Sequence, residues 1–512
     1  MGMAAIVESS KENAPIQRIA IVGGGTAGWS AAACLQQFLK KRDVSITLVE
    51  SSILGTVGVG EASIPNLRNF NAYVGLGERE FLARTGGTFK LGIRFDDWRE
   101  RGASFFHPFG EYGVPLQELD FHHCLIAAQR KGFKAELDEF SLPIALARAG
   151  RFSQPSERTD SPLSQFGYAY HFDATRYAGL LKEIAVRGGV KTLDALVQDA
   201  TLDPENGFVR SLVLDNGEAI EADLFIDCSG FRALLIEKAL GTGYESWQRW
   251  LPCDRAIALQ CEPSSDAILP FTIATAQDHG WTWRIPLQHR IGNGYVYSST
   301  HCSEQDAEDL LARSLEGLPI TSANHQRFTA GMRTRFWDRN CIALGLAGGF
   351  IEPLESTSIN LVHRALSILM DHFPGTACDP RLSRIANRAF AGEQEKIRDF
   401  IVLHYWLSRR NDTPFWRDIH EAGIPGSLQE KIEAYQANGS LLQGQFESFR
   451  ADSWLTMYNG FGVTPDTLDT RIADVDPAQI TADLEAIRRN IASAATQAPL
   501  HRDVIERNFP AS

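Results

Sequence analysis

The stretch Ile19-Ala20-Ile21-Val22-Gly23-Gly24-Gly25-Thr26-Ala27-Gly28 decides the fold. Four apolar residues of strand character run into three glycines, and the run from Trp29 to Leu39 then carries its apolar side chains at helical spacing. Strand, glycine turn and helix in that order are the context that a G-x-G-x-x-G dinucleotide fingerprint requires. Gly23 makes the tight turn, Gly25 lets the backbone approach a pyrophosphate, and Gly28 lets helix and strand pack closely. The phosphates then rest on free N–H groups where the helix begins. A second apolar strand, Val44 to Val49, ends at Glu50, where a carboxylate accepts hydrogen bonds from an adenosine ribose. A βα turn without a ligand would leave that acid unexplained.

The rest of the chain bounds the setting. At 512 residues it exceeds what one hydrophobic core normally supports, so two lobes built from interleaved segments are expected. Its 44% hydrophobic and 22% charged residues are those of a globular protein. A net charge of −13 argues against nucleic acid or an anionic membrane as partner, since both repel an acidic surface. The eight cysteines, at 34, 124, 228, 253, 261, 302, 341 and 378, show no close pairing, which suggests reduced thiols and a cytoplasmic location. The start of the chain, residues 1–16, reads as a flexible tail, because Lys11, Glu12 and Asn13 interrupt any leader-like apolar run. The longest apolar run, Ile342 to Ile351, is too short to span a bilayer. No zinc-type spacing is present, no metal is expected, and His122-His123 reads as a structural pair whose side chains point in different directions.

Later segments return to the nucleotide-binding fold. Ala222 to Gly230 is an apolar strand ending in a small turn-forming cluster, as befits a strand end near a cofactor. Arg176 to Arg187 reads as an amphipathic helix, and Val190 to Asp199 and Phe208 to Leu214 as strands, with turns at Pro204–Gly207 and Asp215–Gly217. Cys341 to Phe350 is a buried strand running into a loop, followed by a helix from Ser358 to His372. Charged helical segments then dominate, among them Pro380 to Val402 and Pro477 to Ala495, the latter with Asp476 as N-cap. The expected division is a domain over 17–374 with an inserted substrate-pocket segment at about 80–155, and a mostly helical covering lobe over 375–512.

Gly280-Trp281-Thr282-Trp283-Arg284-Ile285-Pro286 places two indoles at alternate positions, so in an extended segment both face one side and form a wall. With this block beside the glycine turn, the chain resembles the flavin-dependent halogenases of the tryptophan halogenase family. The resemblance also rests on Gly58-Val59-Gly60-Glu61-Ala62-Ser63-Ile64-Pro65, on Gly87-Thr88-Phe89-Lys90 and on Glu352-Pro353-Leu354-Glu355-Ser356-Thr357, and it extends from about residue 17 to about residue 500.

The resemblance implies an α/β, FAD-binding Rossmann-like fold of the flavin monooxygenase type. FAD would lie on Gly23, Gly25, Thr26, Ala27, Gly28, Glu50, Val197, Leu346 and Ile359. In the enzymes it resembles, reduced FAD (FADH2) and O2 oxidise a halide, and the hypohalous acid travels through a tunnel to a separate substrate. The family's lysine maps onto Lys90, which either hydrogen-bonds the acid or carries the halogen as a haloamine, and its glutamate onto Glu355. Burial would favour a neutral lysine and a nearby carboxylate would oppose that shift, so the two lysine roles make different pH demands. The backbone amides of Thr357 and Ser358 match the halide position, with Ser358 where the family has glycine; chloride and bromide are both candidates, with a lean toward bromide. His107, Phe109 and Trp454 fall where relatives stack an indole. The stretch Gln443 to Tyr458 lacks the tyrosine- and glutamate-bearing lid that grips free tryptophan, so an open pocket for indole or a substituted indole is expected. A separate flavin reductase would supply the reduced flavin, since no second nucleotide fingerprint is visible, and a homodimer is the candidate assembly. The competing readings are a flavin-dependent aromatic hydroxylase, which needs neither Lys90 nor Glu355, and a non-catalytic flavoprotein that senses redox state.

Overall fold

The computed structural model of the chain describes residues 13–53, 60–156 and 166–511. Its organising element is a six-stranded sheet in the order Trp337–Asp338, Cys341–Ala343, Leu224–Asp227, Arg18–Val22, Ser45–Glu50, Lys191–Asp194. The last five strands run parallel and the first antiparallel to its neighbour. Arg18–Val22, buried from Ile19 onward, lies in the middle, and its glycine turn opens the helix Thr26–Leu39 at the carboxyl edge of the sheet. Ligands of open α/β sheets bind at that edge.

A seven-stranded mixed sheet stands against this unit. In it Gly280–Pro286 pairs with Thr272–Gln277 and Ile291–Tyr297, and Ser104–Pro108 forms one edge beside Gly92–Asp96. A short antiparallel sheet of Gly60–Ala62, Ala169–Asp173 and Thr88–Lys90 joins the two. Beyond residue 375 the chain is helical, from Pro380–Trp406 to His501–Asn508. Helix starts follow local chemistry: Asp173, Asp379 and Asp476 each accept a backbone N–H of the first turn. One apolar cluster runs from Ile19 and Leu48 in the parallel sheet to Ile401, Trp454 and Ile505 in the helices. The helices thus share a core with the sheets.

Several local expectations change. The strand expected over Val190 to Asp199 is two strands: Lys191–Asp194 extends the parallel sheet, and Val197–Leu202 pairs with Val209–Leu214 in a separate three-stranded sheet. Ala195 and Leu196 make the turn between them, with the Ala195 N–H donating to Glu50. Of the expected tail, residues 1–12 lie outside the described residues, while 13–16 are pinned: Pro15 bridges to Gly375, and Ile16 is buried. Gly58 and Val59 of the glycine-glutamate block also lie outside the described residues. No helix among the described residues is long and apolar enough to cross a membrane. All eight cysteines are unpaired thiols.

Candidate active site

At the cofactor end, geometry explains the three fingerprint glycines, Gly23, Gly25 and Gly28. Gly23 has φ +112°, and a Cβ there would lie 2.2 Å from the Cys228 carbonyl oxygen; a Cβ on Gly28 would lie 1.8 Å from the Gly23 carbonyl oxygen. Both positions exclude a side chain through contact with backbone. Gly25 is different, because nothing stands within 4 Å of its Cβ position. That open face looks onto a cavity of about 580 Å³ lined by the turn itself and by Glu50, Val197, Leu346 and Ile359. Free N–H groups at a helix start, a glycine that a phosphate can approach and an apolar trough form a donor set that fits a flavin dinucleotide. Thr26 and Ala27 line the same cavity. The Glu50 carboxylate accepts from Trp29 Nε1 at 3.2 Å and from Lys182 Nζ at 2.6 Å, which fixes it at the rim.

The tryptophan strand forms part of the cavity wall. Trp281 and Trp283 lie on one face of Gly280–Pro286 with ring centroids 6.0 Å apart, and both line the cavity. Trp281 is held in place, since its Nε1 donates to Glu352 Oε2 at 2.6 Å. Tyr405 donates its hydroxyl to the same oxygen at 2.6 Å, and the other carboxyl oxygen of Glu352 has no partner among the described residues. Burial pushes the Glu352 carboxyl up to about 7, against the two donors. Nothing in the sequence distinguished Glu352 as the brace of the tryptophan wall.

Lys90 ends the short strand Thr88–Lys90 and is wholly buried. Its Nζ donates to the Ser63 carbonyl at 3.1 Å and to Ser356 Oγ at 2.9 Å, and stands 5.1 Å from the centre of the Phe109 ring. Burial brings the Lys90 amine down to about 7, although Glu355 pulls the other way. Ser356, at φ +60°, is a left-handed corner between the turn Pro353–Glu355 and the helix Ser358–Asp371. Thr357 is the N-cap of that helix and Ser358 its first residue, so their N–H groups have no partner within it. Ser356 and Ser358 line the flavin cavity. One short loop therefore touches the cavity on one side and the lysine on the other.

Glu355 does not pair directly with Lys90. It is clamped by two imidazoles: His107 Nδ1 lies 2.9 Å from both carboxyl oxygens, and His404 Nε2 lies 2.9 Å from Oε1. Burial alone would raise this carboxyl, but His107 and His404 more than reverse that and hold it well below its ordinary value. His107 is thus a partner of Glu355 as well as a wall of the aromatic cluster, and sequence reasoning missed His404 altogether.

His107 and Trp454, expected beside an indole, lie in one aromatic cluster around Phe400. Phe449 lies flat on Phe400 at 3.9 Å, His107 is 5.7 Å from Phe400, and Trp454 packs edge-on to Phe400 at 5.1 Å. Lys431 Nζ sits 4.2 Å over the Trp454 ring, and Trp454 is only 1% exposed. Rings of this size close on one another because each removes large apolar area from water. The helical pattern of Pro380–Trp406, which puts Phe400 and His404 on one face, was the available signal for these partners.

His122 and His123 do not diverge as expected; their rings lie 4.2 Å apart, and with Asp120 they form a group within reach of one ion. The helix Phe121–Arg130 begins there, and tertiary contacts draw the rings together: His122 Nε2 donates to the Gly439 carbonyl at 2.8 Å, and His123 Nδ1 accepts from the Asp469 N–H at 3.3 Å. With those nitrogens committed, neutral His123 has its proton on Nε2, which leaves only His122 Nδ1 with a free lone pair. The hydrogen bonds suit a structural pair better than a metal centre.

Known proteins share this overall fold. A flavin-dependent halogenase from Brevundimonas sp. BAL3 superposes with a TM-score of 0.93 at 44% identity, covering 97% of this chain and 99% of that one. One from Xanthomonas campestris gives a TM-score of 0.93 at 40% identity, with coverage of 97% and 99%. Fold and site define an enzyme of the flavin-dependent halogenase class. The tryptophan 6-halogenase of Streptomyces toxytricini is 36% identical, over 92% of this chain and 94% of its own length. Residues 18–477 match the family described as tryptophan halogenase, and the chain belongs to that family.

Proposed function

We propose that the protein halogenates indole-type aromatics with an oxidant made at the flavin and used beside Lys90. Bound flavin, reduced and with O2, supplies the oxidising power that turns bromide or chloride into hypohalous acid. The chain does the remainder. The N–H groups of Thr357 and Ser358 hold the halide at a helix start, where an anion is favoured. The indoles of Trp281 and Trp283 keep the substrate ring away from the flavin. The neutral amine of Lys90 takes the halogen, its N–H becomes N–halogen, and water leaves with the displaced proton. The ring carbon of the substrate then takes the halogen as the N–halogen bond breaks, the Glu355 carboxylate accepts the ring proton, and the amine nitrogen takes up one proton from solvent while Glu355 returns its own to solvent. A weak base suffices there, because the cationic ring is a strong acid. His107, Phe109 and Trp454 orient the ring, a contribution on the order of 0.5–1.5 kcal/mol per aromatic contact beyond burial.

The observation that carries this reading is the Lys90–Ser356 bond at 2.9 Å. Ser356 lies between Glu355 and the halide amide of Thr357, so oxidant source, amine and base meet on one loop. An amine brought down to about 7 by burial is also available in neutral form near physiological pH, as halogen transfer to nitrogen demands. A separate flavin reductase is the expected partner, and the unpaired thiols suit a reducing compartment such as the cytoplasm.

The test is Lys90→Ala, assayed with reduced flavin, bromide and indole by mass spectrometry. Halogenated product should disappear while flavin binding stays intact. Undiminished halogenation would overturn the reading, and a hydroxylated product from the native enzyme would point to a hydroxylase. Indole should be turned over in preference to free tryptophan; a strong preference for tryptophan would refute the substrate assignment.

A further inference from the structure

Both hydrogen-bond partners of His404 are acceptors, which calls for one proton more than a neutral imidazole carries. His404 Nδ1 lies 2.7 Å from the Phe400 carbonyl oxygen. A carbonyl can only accept, so Nδ1 must carry a proton. In a neutral imidazole that leaves a bare lone pair on Nε2, which stands 2.9 Å from Glu355 Oε1. Lone pair against carboxylate oxygen is repulsive, and the contact is bonding only if a further proton lies between them. His107 does not have this problem. Its Nδ1 can donate to both oxygens of Glu355 while Nε2 stays unprotonated, so the neutral ring suffices.

We infer that His404 is an imidazolium paired to the Glu355 carboxylate, and that this pairing sets the protonation state of Lys90. His404 is a positioning residue in this account, since it acts through Glu355. Its other neighbours are apolar faces: Phe95 at 5.0 Å, Phe400 at 5.2 Å, Trp98 at 6.0 Å and Phe461 at 6.4 Å. Glu355 is therefore the anion it faces. The titratable groups around Glu355 are His404 on the helix Pro380–Trp406, His107 on the edge strand Ser104–Pro108, and Lys90, linked to the adjacent Ser356. Glu352, one turn earlier, is engaged by Trp281 and Tyr405 instead. His171, paired with Thr88 on the neighbouring strand, is driven toward its neutral form by burial and by the lysine itself.

The consequence concerns the lysine. A bare carboxylate at Glu355 would hold Lys90 as an ammonium, which cannot accept halogen. An imidazolium on the same carboxylate makes the pair neutral overall, which weakens that hold and leaves burial to favour the amine. The carboxylate still has Oε2 free of His404 to receive a ring proton. This inference rests on the proposed role of Lys90, but the protonation of His404 can be read without any catalysis.

The direct experiment is ring-nitrogen NMR on the native protein with labelled histidine, assigned by comparison with His404→Gln. Both nitrogens of His404 should be protonated in the native protein, and the extra proton should be lost in Glu355→Gln. A His404 with one protonated nitrogen in the native protein would overturn the inference. The functional experiment uses His404→Gln, which keeps an N–H donor near Nε2 but carries no charge. Its halogenation profile should have an acidic limb displaced upward by about one pH unit or more, as an unneutralised carboxylate within a few ångströms predicts. A loss of rate at every pH with no displacement of the limb would reduce His404 to a structural role and sink the proposal. If Lys90→Ala halogenates normally while His404 proves doubly protonated, the lysine reading fails and the buried ion pair stands.

Discussion

The flavin end and the lysine end of this enzyme solve opposite problems with opposite materials. At the flavin end the chain removes side chains: Gly23 and Gly28 have no room for a Cβ, Gly25 faces open space, and the donors are backbone N–H groups. At the lysine end it concentrates them, burying an amine, two carboxyls and two imidazoles within one apolar core. A cofactor that is held needs shape and a fixed array of donors. A diffusible oxidant needs a chemically reactive group whose charge is controlled by its neighbours. Damage should therefore fall differently: changes at the glycine turn weaken binding and packing, whereas changes around Lys90 alter chemistry and its pH dependence.

The largest effect should come from Lys90→Ala, which is expected to lower halogenation by at least about a thousandfold. Flavin affinity, measured by equilibrium titration, should barely change; a parallel loss of both would erase the separation of the two ends. Gly28→Ala tests the other end. A Cβ 1.8 Å from the Gly23 carbonyl oxygen forces helix and strand apart. Flavin binding should fail and thermal unfolding should show a loss of roughly 1–3 kcal/mol.

The pH profile sharpens the comparison next. Because burial lowers the Lys90 amine to about 7, the neutral form that the proposed transfer needs is lost as pH falls through that value. The halogen-transfer rate should drop about tenfold for each unit below the midpoint. Flavin affinity should not follow the same curve; a rate that rises on acidification would reverse the assignment. Trp281→Phe probes the boundary between the ends by deleting the donor to Glu352 Oε2. A stability loss on the order of 1–3 kcal/mol is expected from the weakened brace of a buried carboxyl, along with more oxidant lost as peroxide in a leak assay. The smallest effect belongs to Ser358→Gly, which keeps the N–H proposed to face the halide and removes only a side chain at the cavity wall. Competition between bromide and chloride should shift toward chloride by no more than about tenfold, since that already represents about 1.4 kcal/mol.

Legibility followed the same division. The strand Arg18–Val22, its glycine turn and the strand ending at Glu50 lie within about thirty residues, and each is announced by local periodicity or by glycines at fixed spacing. The two tryptophans share a face because a strand has period two, and the helix Pro477–Gln497 was marked by its Asp476 cap. The clamp on Glu355 had no such local signature. His107 and His404 are separated from it by 248 and 49 residues, and a lone histidine in a strand or helix has no spacing that reveals its partner. His122 and His123 show the converse: adjacency suggested divergence, and contacts with Gly439 and Asp469 brought the rings together.

By itself the sequence determined where the chain turns, which faces are apolar and where a dinucleotide can lie, because backbone conformation and side-chain periodicity are set by neighbours a few residues away. It also carried the motifs that mark Lys90 and Glu355. Only the tertiary structure decided what those two residues experience: which oxygens accept hydrogen bonds from the lysine, which imidazoles hold the glutamate, and how much water is excluded. Those are properties of distance and burial in space, and charge in a low-dielectric interior responds to them far more strongly than to anything adjacent along the chain.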